Sequence, residues 1–195
     1  MAIKILGVCG SMREGSYSTK AVKVALEFAK EYGAETQILD LRLVDLPMYK
    51  SPSSINSEKV EEAAKITDWA DAILLASPDY HGSMSGALKN YLDYHWEEFG
   101  GKLFGYICAS HEKGLTVMGQ MRTAVRQCYG WSLPYGVAFD GKEVFDESGK
   151  ITNPRTEQRL KMMVRDLSVY GELLRSQFRR DLSGDISDTF AVRFK

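Results

Sequence analysis

Ten residues near the N-terminus, Gly10-Ser11-Met12-Arg13-Glu14-Gly15-Ser16-Tyr17-Ser18-Thr19, gather hydroxyl donors around a single guanidinium. They lie between an apolar run, Ile3–Cys9, and a segment of helical period. A turn from strand into helix leaves the first helical N–H groups unpaired at the positive end of the helix dipole, where an anion is favoured. Ser11, Ser16, Ser18 and Thr19 add donors, and Arg13 can grip an oxyanion through two parallel bonds. That set suits a phosphate monoester. Gly, Ser and Thr also populate ordinary strand-to-helix turns and caps, so the loop by itself leaves a plain turn open.

Other phosphate chemistries make different demands. A P-loop needs Gly-Lys-Ser/Thr, which is absent, and a dinucleotide fingerprint needs G-x-G-x-x-G, whereas Gly7, Gly10 and Gly15 are spaced differently. The low-molecular-weight tyrosine phosphatases place a Cys at the end of strand one and an Arg six residues later; here Gly15 stands at that distance from Cys9, and Arg13 comes too early. Cys9 and Cys108 sit in apolar runs and read as buried structural thiols. With Cys128 they are too few and too scattered for a disulfide framework or a C-x-x-C metal site.

A second loop, Ser77-Pro78-Asp79-Tyr80-His81-Gly82-Ser83-Met84-Ser85-Gly86, follows another apolar run. Pro78 stiffens it, Gly82 and Gly86 allow a ring to approach the backbone, and Tyr80 offers an aromatic wall. Such a loop can present N–H groups to the polar edge of a flat heterocycle, although a turn with one aromatic has the same composition. His81 and His111, with Asp79 or Glu112, raise a metal site, but two isolated histidines on separate loops match no ligand spacing. The acidic pairs Glu61-Glu62 and Glu97-Glu98 read as solvated helix faces.

The elements that must position these loops alternate along the chain. Five near-continuous apolar runs, Ile3–Cys9, Thr36–Leu41, Ala72–Ser77, Phe104–Ser110 and Tyr135–Phe139, predict strands covered on both faces. Between them, Ala21, Val24, Ala25, Phe28, Ala29 and Tyr32 share one face of a helix that stops at Gly33. Val60, Ala63, Ala64, Thr67 and Ala70 predict a second helix, capped by Asn56 or Ser57. A third begins near Ser83–Gly86, and a fourth runs through Met121, Val125 and Cys128. The last opens at Asn153-Pro154, a cap followed by proline at the first helical position, and continues through Leu160, Met163, Val164, Leu167 and Leu174. Residues 43–57 read as a loop, Asp140-Gly141 and Ser148-Gly149 as tight turns of a small hairpin, and the tail beyond Asp181 as non-helical. The whole is an α/β, doubly wound parallel sheet, in which ligands bind at the carboxyl ends of the strands.

Bulk properties bound the function. The 195 residues suffice for one domain, 44% hydrophobic and 26% charged, with a net charge of −1. That charge lacks the basic excess of a general nucleic-acid binder and the strong acidity that steers an electron carrier to its partners. No apolar run is long enough to span a membrane, and the N-terminus lacks the pattern of a signal peptide, so a cytoplasmic protein is expected.

The two loops together carry a resemblance. Gly10, Ser11, Arg13 and Ser16 match the Gly-Ser-x-Arg-x-x-Ser of the NADPH-dependent FMN reductase family. Ser77, Pro78 and Tyr80, then Gly86, Ala87, Leu88, Lys89, Asn90 and Asp93, match its Ser-Pro-Glu-Tyr-Asn and Gly-Ala-Leu-Lys-Asn-x-x-Asp. On these residues the chain resembles that family of flavodoxin-like proteins, which includes quinone, azo-dye and chromate reductases. Departures are Ser18 where the family commonly has Asn, Asp79 for Glu, His81 for Asn and Ser85 for Pro.

The resemblance covers roughly Ile3 to Phe139 and implies a flavodoxin-like five-stranded sheet of order 2-1-3-4-5 with helices on both faces; with the last helix included, an FMN-binding domain over residues 1–182 and a tail over 183–195 are expected. It implies an FMN phosphate on Ser11, Arg13, Ser16, Ser18 and Thr19, and a ring beside Pro78, Asp79, Tyr80, His81, Gly82 and Ser83. A third loop after strand four, where the family is glycine-rich, brings Ser110, His111 and Gly114 as contacts. Lys113 either stabilises the anion at N1 and O2 of reduced flavin or is a solvated lysine. The donor would be NADPH or NADH, the acceptor a flavin, quinone, azo compound or metal oxyanion, and no side-chain acid, base or nucleophile is obligatory. A flavodoxin-type electron carrier and a low-turnover flavin-binding regulatory module are the competing readings. Relatives form homodimers or homotetramers, which makes Trp96, Phe99 and Tyr129 interface or core aromatics.

Overall fold

The computed structural model describes residues 2–50 and 57–195. Strand β1 (Lys4–Cys9) leads into helix α1 (Tyr17–Glu31), then β2 (Glu35–Asp40), the short α2 (Leu41–Val44) and α3 (Glu58–Trp69). Next come β3 (Ala72–Pro78), α4 (Gly86–Tyr94), β4 (Leu103–Ala109) and α5 (Leu115–Gln127). Two short strands, β5 (Trp131–Ser132) and β6 (Val137–Phe139), precede α6 (Gly141–Val144) and the long α7 (Pro154–Ser183).

All pairings are parallel and the order is β2-β1-β3-β4-β5, with β6 also on β4. The fifth position of the expected sheet is thus shared by two pieces. Trp131–Ser132 pairs with Leu103–Phe104, and Val137–Phe139 pairs with Ile107–Ala109. Pro134 lies between them and has no N–H to give to a ladder, which parts the edge into two pieces, and the strand expected from Tyr135 begins at Val137. The first piece is exposed on both residues and, at two residues, is too short to show a period.

Two cores cover the sheet because successive strand residues point to opposite faces. Ile5 and Leu74 join α1 and α7 residues on one side, whereas Leu6, Val8, Ile73 and Leu75 join α4 and α5 residues on the other. Helix α1 is turned slightly from its expected face: Val22 and Leu26 are buried with Ala21, Ala25 and Ala29, while Tyr32 is 47% exposed. The cause is Gly7, where a Cβ would lie 2.4 Å from Val22 Cγ1, so the helix settles directly on β1. Gly33, at φ +79°, ends the helix as expected.

Asn153 caps α7 by accepting the Thr156 N–H at 3.0 Å, with Pro154 first in the helix. Asp140-Gly141 is the start of four-residue α6 rather than a hairpin turn, and Ser148-Gly149 closes a single antiparallel bridge between Phe145 and Ile151. The expected loop 43–57 begins inside α2; Ser57 precedes α3 without a side-chain cap bond, and Pro52 and Asn56 lie outside the described residues. The tail expected to be non-helical beyond Asp181 is partly helical: α7 runs to Ser183, and Phe190–Phe194 forms a 3-10 helix held by Phe194 on Phe178 and Tyr129, aromatic packing that helical period does not register. Phe99 is fully buried and packs on Phe104, a core position, whereas exposed Trp96 stacks on Tyr129. No described helix is long and apolar enough to cross a membrane.

Candidate functional site

The carboxyl ends of β1, β3, β4 and β6 open on one cleft of about 790 Å³. It gathers Ser11, Arg13 and Ser16 from the first loop, Pro78, Asp79, Tyr80, His81 and Gly82 from the second, and Ser110, His111, Lys113 and Gly114 from the third. Three other expected residues lie off its wall. Ser18 is buried with its Oγ 2.9 Å from that of Ser16, Thr19 hydrogen-bonds the Cys9 thiol, and Ser83 donates its hydroxyl to Gln120 Oε1 at 3.0 Å. Their hydroxyls are spent on the protein.

The first loop is shaped by close approach. A Cβ on Gly10 would meet Ala76 O at 2.7 Å and Leu88 Cβ at 2.8 Å, so only glycine lets the chain pass between β3 and α4. Ser85 donates its hydroxyl to the Gly10 carbonyl, accepts the Leu88 N–H at 3.1 Å, and gives its own N–H to Ser77 Oγ at 2.9 Å. Where the family commonly has proline, this serine ties the first two loops together. Ser16 stands at the N-cap of α1 but makes no side-chain cap bond, which leaves the first-turn N–H groups to a ligand. Ser11 Oγ accepts the Arg13 N–H at 3.2 Å.

The second loop turns tightly. Tyr80 and Ser83 exchange backbone bonds of 3.0 and 3.1 Å around His81 at φ +57° and Gly82 at φ +78°. A left-handed pair is the hairpin turn that matches strand twist, and histidine is among the few non-glycine residues that enter this region readily, as is the family's asparagine. Asp79 spans the second and third loops: Oδ1 accepts the Gly82 N–H and Oδ2 the Ser110 hydroxyl, each at 2.8 Å. Ser110 Oγ also accepts the Glu112 N–H at 3.0 Å. Asp79 and Ser110 therefore hold the loops in shape. From α5, Gln120 Oε1 accepts both Ser83 Oγ and the Met84 N–H at 3.0 Å, clamping the turn from the far side.

In the third loop Gly114, at φ +61°, starts α5 with no side-chain cap, and a Cβ there would lie 2.8 Å from Cys108 Sγ. His111 Nδ1 lies 2.7 Å from Asp140 Oδ2, and Asp140 Oδ1 accepts the Lys142 N–H at 3.0 Å. The His111 hydrogen bond, and after it the Lys142 N–H, holds the Asp140 carboxyl below its ordinary value. Burial, chiefly, pushes the Cys9 and Cys108 thiols up to about 12, so both remain protonated and unreactive at neutral pH.

Four cations, Arg13, Lys20, Lys113 and Lys142, border the cleft against three carboxylates, Asp79, Glu112 and Asp140. Two of those carboxylates are engaged as described, which leaves a wall disposed toward an anionic ligand. Tyr17, Lys20, Leu115, Thr116, Asp140, Gly141 and Lys142 also line the cleft and were not among the expected contacts, and Glu112, considered only as a metal ligand, lines it too. Lys20 was accessible to sequence reasoning, being one helical turn beyond Ser16. Asp140 and Lys142 were not, since only the pairing of β6 with β4 brings them beside the third loop. Among the described residues there is no group of three His, Cys, Asp or Glu side chains able to hold a metal ion.

Known proteins resemble this chain in sequence or in fold. An NADPH azoreductase from a Bacillus species is 31% identical over 144 residues, which span 71% of this chain and 81% of that protein. An NAD(P)H:quinone oxidoreductase of Solanum tuberosum is 28% identical over 180 residues, 83% of this chain and 89% of its own length. Among solved structures, the flavoenzyme NAD(P)H:(acceptor) oxidoreductase of Paracoccus denitrificans superposes with a TM-score of 0.74 at 20% identity, covering 88% of this chain and 98% of that one. A flavodoxin from the Archaea shares the fold at a TM-score of 0.61 and 11% identity, over 87% of this chain and 99% of its own. The NADPH-dependent FMN reductase family model matches residues 3–143, and the chain belongs to that family.

Proposed function

We propose that the chain is an NAD(P)H-dependent, FMN-binding oxidoreductase that passes hydride from a nicotinamide to flavin and then to a flavin, quinone, azo or metal-oxyanion acceptor. The observation that carries this reading is the convergence of the uncapped α1 start, Ser11, Arg13 and Ser16 with the Asp79-linked second and third loops on one cleft. The donor set fits FMN. Ser11, Ser16, Arg13 and the first-turn N–H groups around Ser18 and Thr19 would hold the phosphate. Pro78, Tyr80, His81 and Gly82 would flank the ring, with Lys113, His111 and Gly114 on its other side. Asp79, Ser83 and Ser110 act one step back, as positioning residues for these loops.

When bound, FMN supplies the two-electron chemistry, and the protein supplies position and field. Arg13 anchors the cofactor's charged end, so that the exposed part of the cleft is left for a nicotinamide and then an acceptor. Lys113 offers positive charge where a reduced flavin would carry negative charge. Residues 1–182 form the flavin-binding unit and 183–195 a tail, in a cytoplasmic homodimer or homotetramer that binds neither nucleic acid nor membrane.

The test is an anaerobic absorption series on the FMN-loaded protein. NADPH is expected to bleach the flavin rapidly, and added quinone to restore its colour over repeated cycles. Slow bleaching without turnover would favour an electron carrier or regulatory module, and a colourless protein that refuses FMN would overturn the reading.

A further inference from the structure

We propose that His111, oriented by Asp140, is the acid that protonates the acceptor as it is reduced, and that the cleft therefore serves acceptors such as quinones or azo compounds, whose reduction develops negative charge on oxygen or nitrogen. The proposal rests on the oxidoreductase reading above and adds to it a proton donor and a class of acceptor.

The sheet builds the pair. Ala109 and Phe139 are register partners, and Ser110 N–H donates to Phe139 O at 2.9 Å, so the ends of β4 and β6 bring residues 111 and 140 side by side. Asp140 is fixed by the Lys142 N–H and kept ionised by its two hydrogen bonds. An ionised carboxylate 2.7 Å from Nδ1 makes that nitrogen the donor and leaves Nε2 as the position where a proton is gained and lost. Among the described residues Nε2 has no partner, and the ring borders the cleft with its side chain 78% exposed.

The pair is poorly suited to being a mere staple. An ion pair this exposed is worth little to stability, and the third loop is already pinned on both sides, by Ser110 N–H on Phe139 O and by Ser110 Oγ on Asp79. The other charged groups bordering the cleft are Glu112 and Lys113 on the same loop, Lys142 on α6, Asp79 on the second loop, and Arg13 and Lys20 on the first loop and α1.

In the proposed step the protonated ring gives its Nε2 proton to the acceptor: the Nε2–H bond breaks and an O–H or N–H bond forms. The electron pair, as hydride, would come from bound FMN in its reduced state, so that the acceptor would gain two electrons and the flavin would lose them; the neutral imidazole then regains a proton from water. The ring that donates carries protons on both nitrogens, and once Nε2 has given up its proton the ring keeps the Nδ1 proton that it shares with Asp140.

The experiment follows reoxidation of the FMN-loaded, NADPH-reduced protein by 1,4-benzoquinone and, separately, by ferricyanide, an electron acceptor that takes no proton. In His111→Gln the ratio of the quinone rate to the ferricyanide rate is expected to fall about tenfold or more. Nitrogen-15 spectra of the protein without FMN supply an independent readout: neutral His111 is expected to carry its proton on Nδ1, and Asp140→Asn to move it to Nε2. An unchanged ratio in His111→Gln, or a wild-type ring protonated on Nε2, would overturn the proposal. A wild-type protein that refuses FMN or is not bleached by NADPH would overturn the parent reading as well, and would do so before any variant is made.

Discussion

Asp79 illustrates how a residue that resembles a ligand contact can do its work one step away. Its two oxygens are taken by the Gly82 N–H and the Ser110 hydroxyl, and its own N–H reaches Ala109 O at 2.9 Å. Family members commonly carry a longer glutamate at this position, and here the shorter side chain closes both bonds at 2.8 Å. Replacing it with alanine leaves two donors without their acceptor and unlinks two loops. Asp79→Ala is expected to lower stability by about 1–3 kcal/mol in urea denaturation and to weaken FMN binding at the same time. Loss of stability with full FMN affinity would mean that the two loops do not act together. Ser85 has a similar double attachment, to Gly10 O and to Ser77 Oγ, where the family commonly has a proline that could not donate either bond.

At the scale of elements, the end of α3 is closed by a lysine from another part of the chain. Lys102, almost fully buried, donates Nζ to Thr67 O at 2.6 Å and Asp68 O at 3.0 Å, serving as a C-terminal cap just before β4 begins. Burial, and then the Arg175 charge, lowers its pKa from 10.5 to about 7, against the opposing pull of Asp68 and Asp71. The folded state therefore binds fewer protons than the unfolded state between about pH 7 and 10.5, and stability rises with pH across that window. Compared with Lys102→Met, the wild type is expected to gain on the order of 1 kcal/mol or more between pH 7 and pH 10, read by urea denaturation at both. Parallel behaviour of the two proteins would show that the ammonium is not destabilised by its burial.

Elements were legible where their signals are local. Asn153-Pro154 marks the start of α7 because cap and first-turn proline act on adjacent residues. The edge of the sheet was not, since Trp131–Ser132 is a strand only through its pairing with Leu103 and Phe104. The turn of α1 toward Val22 and Leu26 depends on the missing Cβ of Gly7, a fact about the neighbouring strand rather than the helix.

For the molecule as a whole, the sheet order gathers three loops, around residues 11–16, 78–82 and 110–114, onto one cleft. The residues of the first two loops were readable because phosphate and ring chemistry demand particular types at short spacing. Asp140, Lys142 and Gln120 were not, because each reaches the site from an element whose position only the fold decides. Hence the residues proposed to bind were largely visible in the sequence, and those that orient them were largely hidden.

The central claim is that this cleft binds FMN through the first loop. It is tested most directly by titrating FMN with the protein and following flavin fluorescence, for the wild type and for Arg13→Ala. The account predicts saturable binding of one FMN per chain, weakened about tenfold or more in Arg13→Ala by loss of a charge-assisted phosphate bond, with the fold retained by circular dichroism. Equal affinity in the two proteins, or no binding by the wild type, would contradict it.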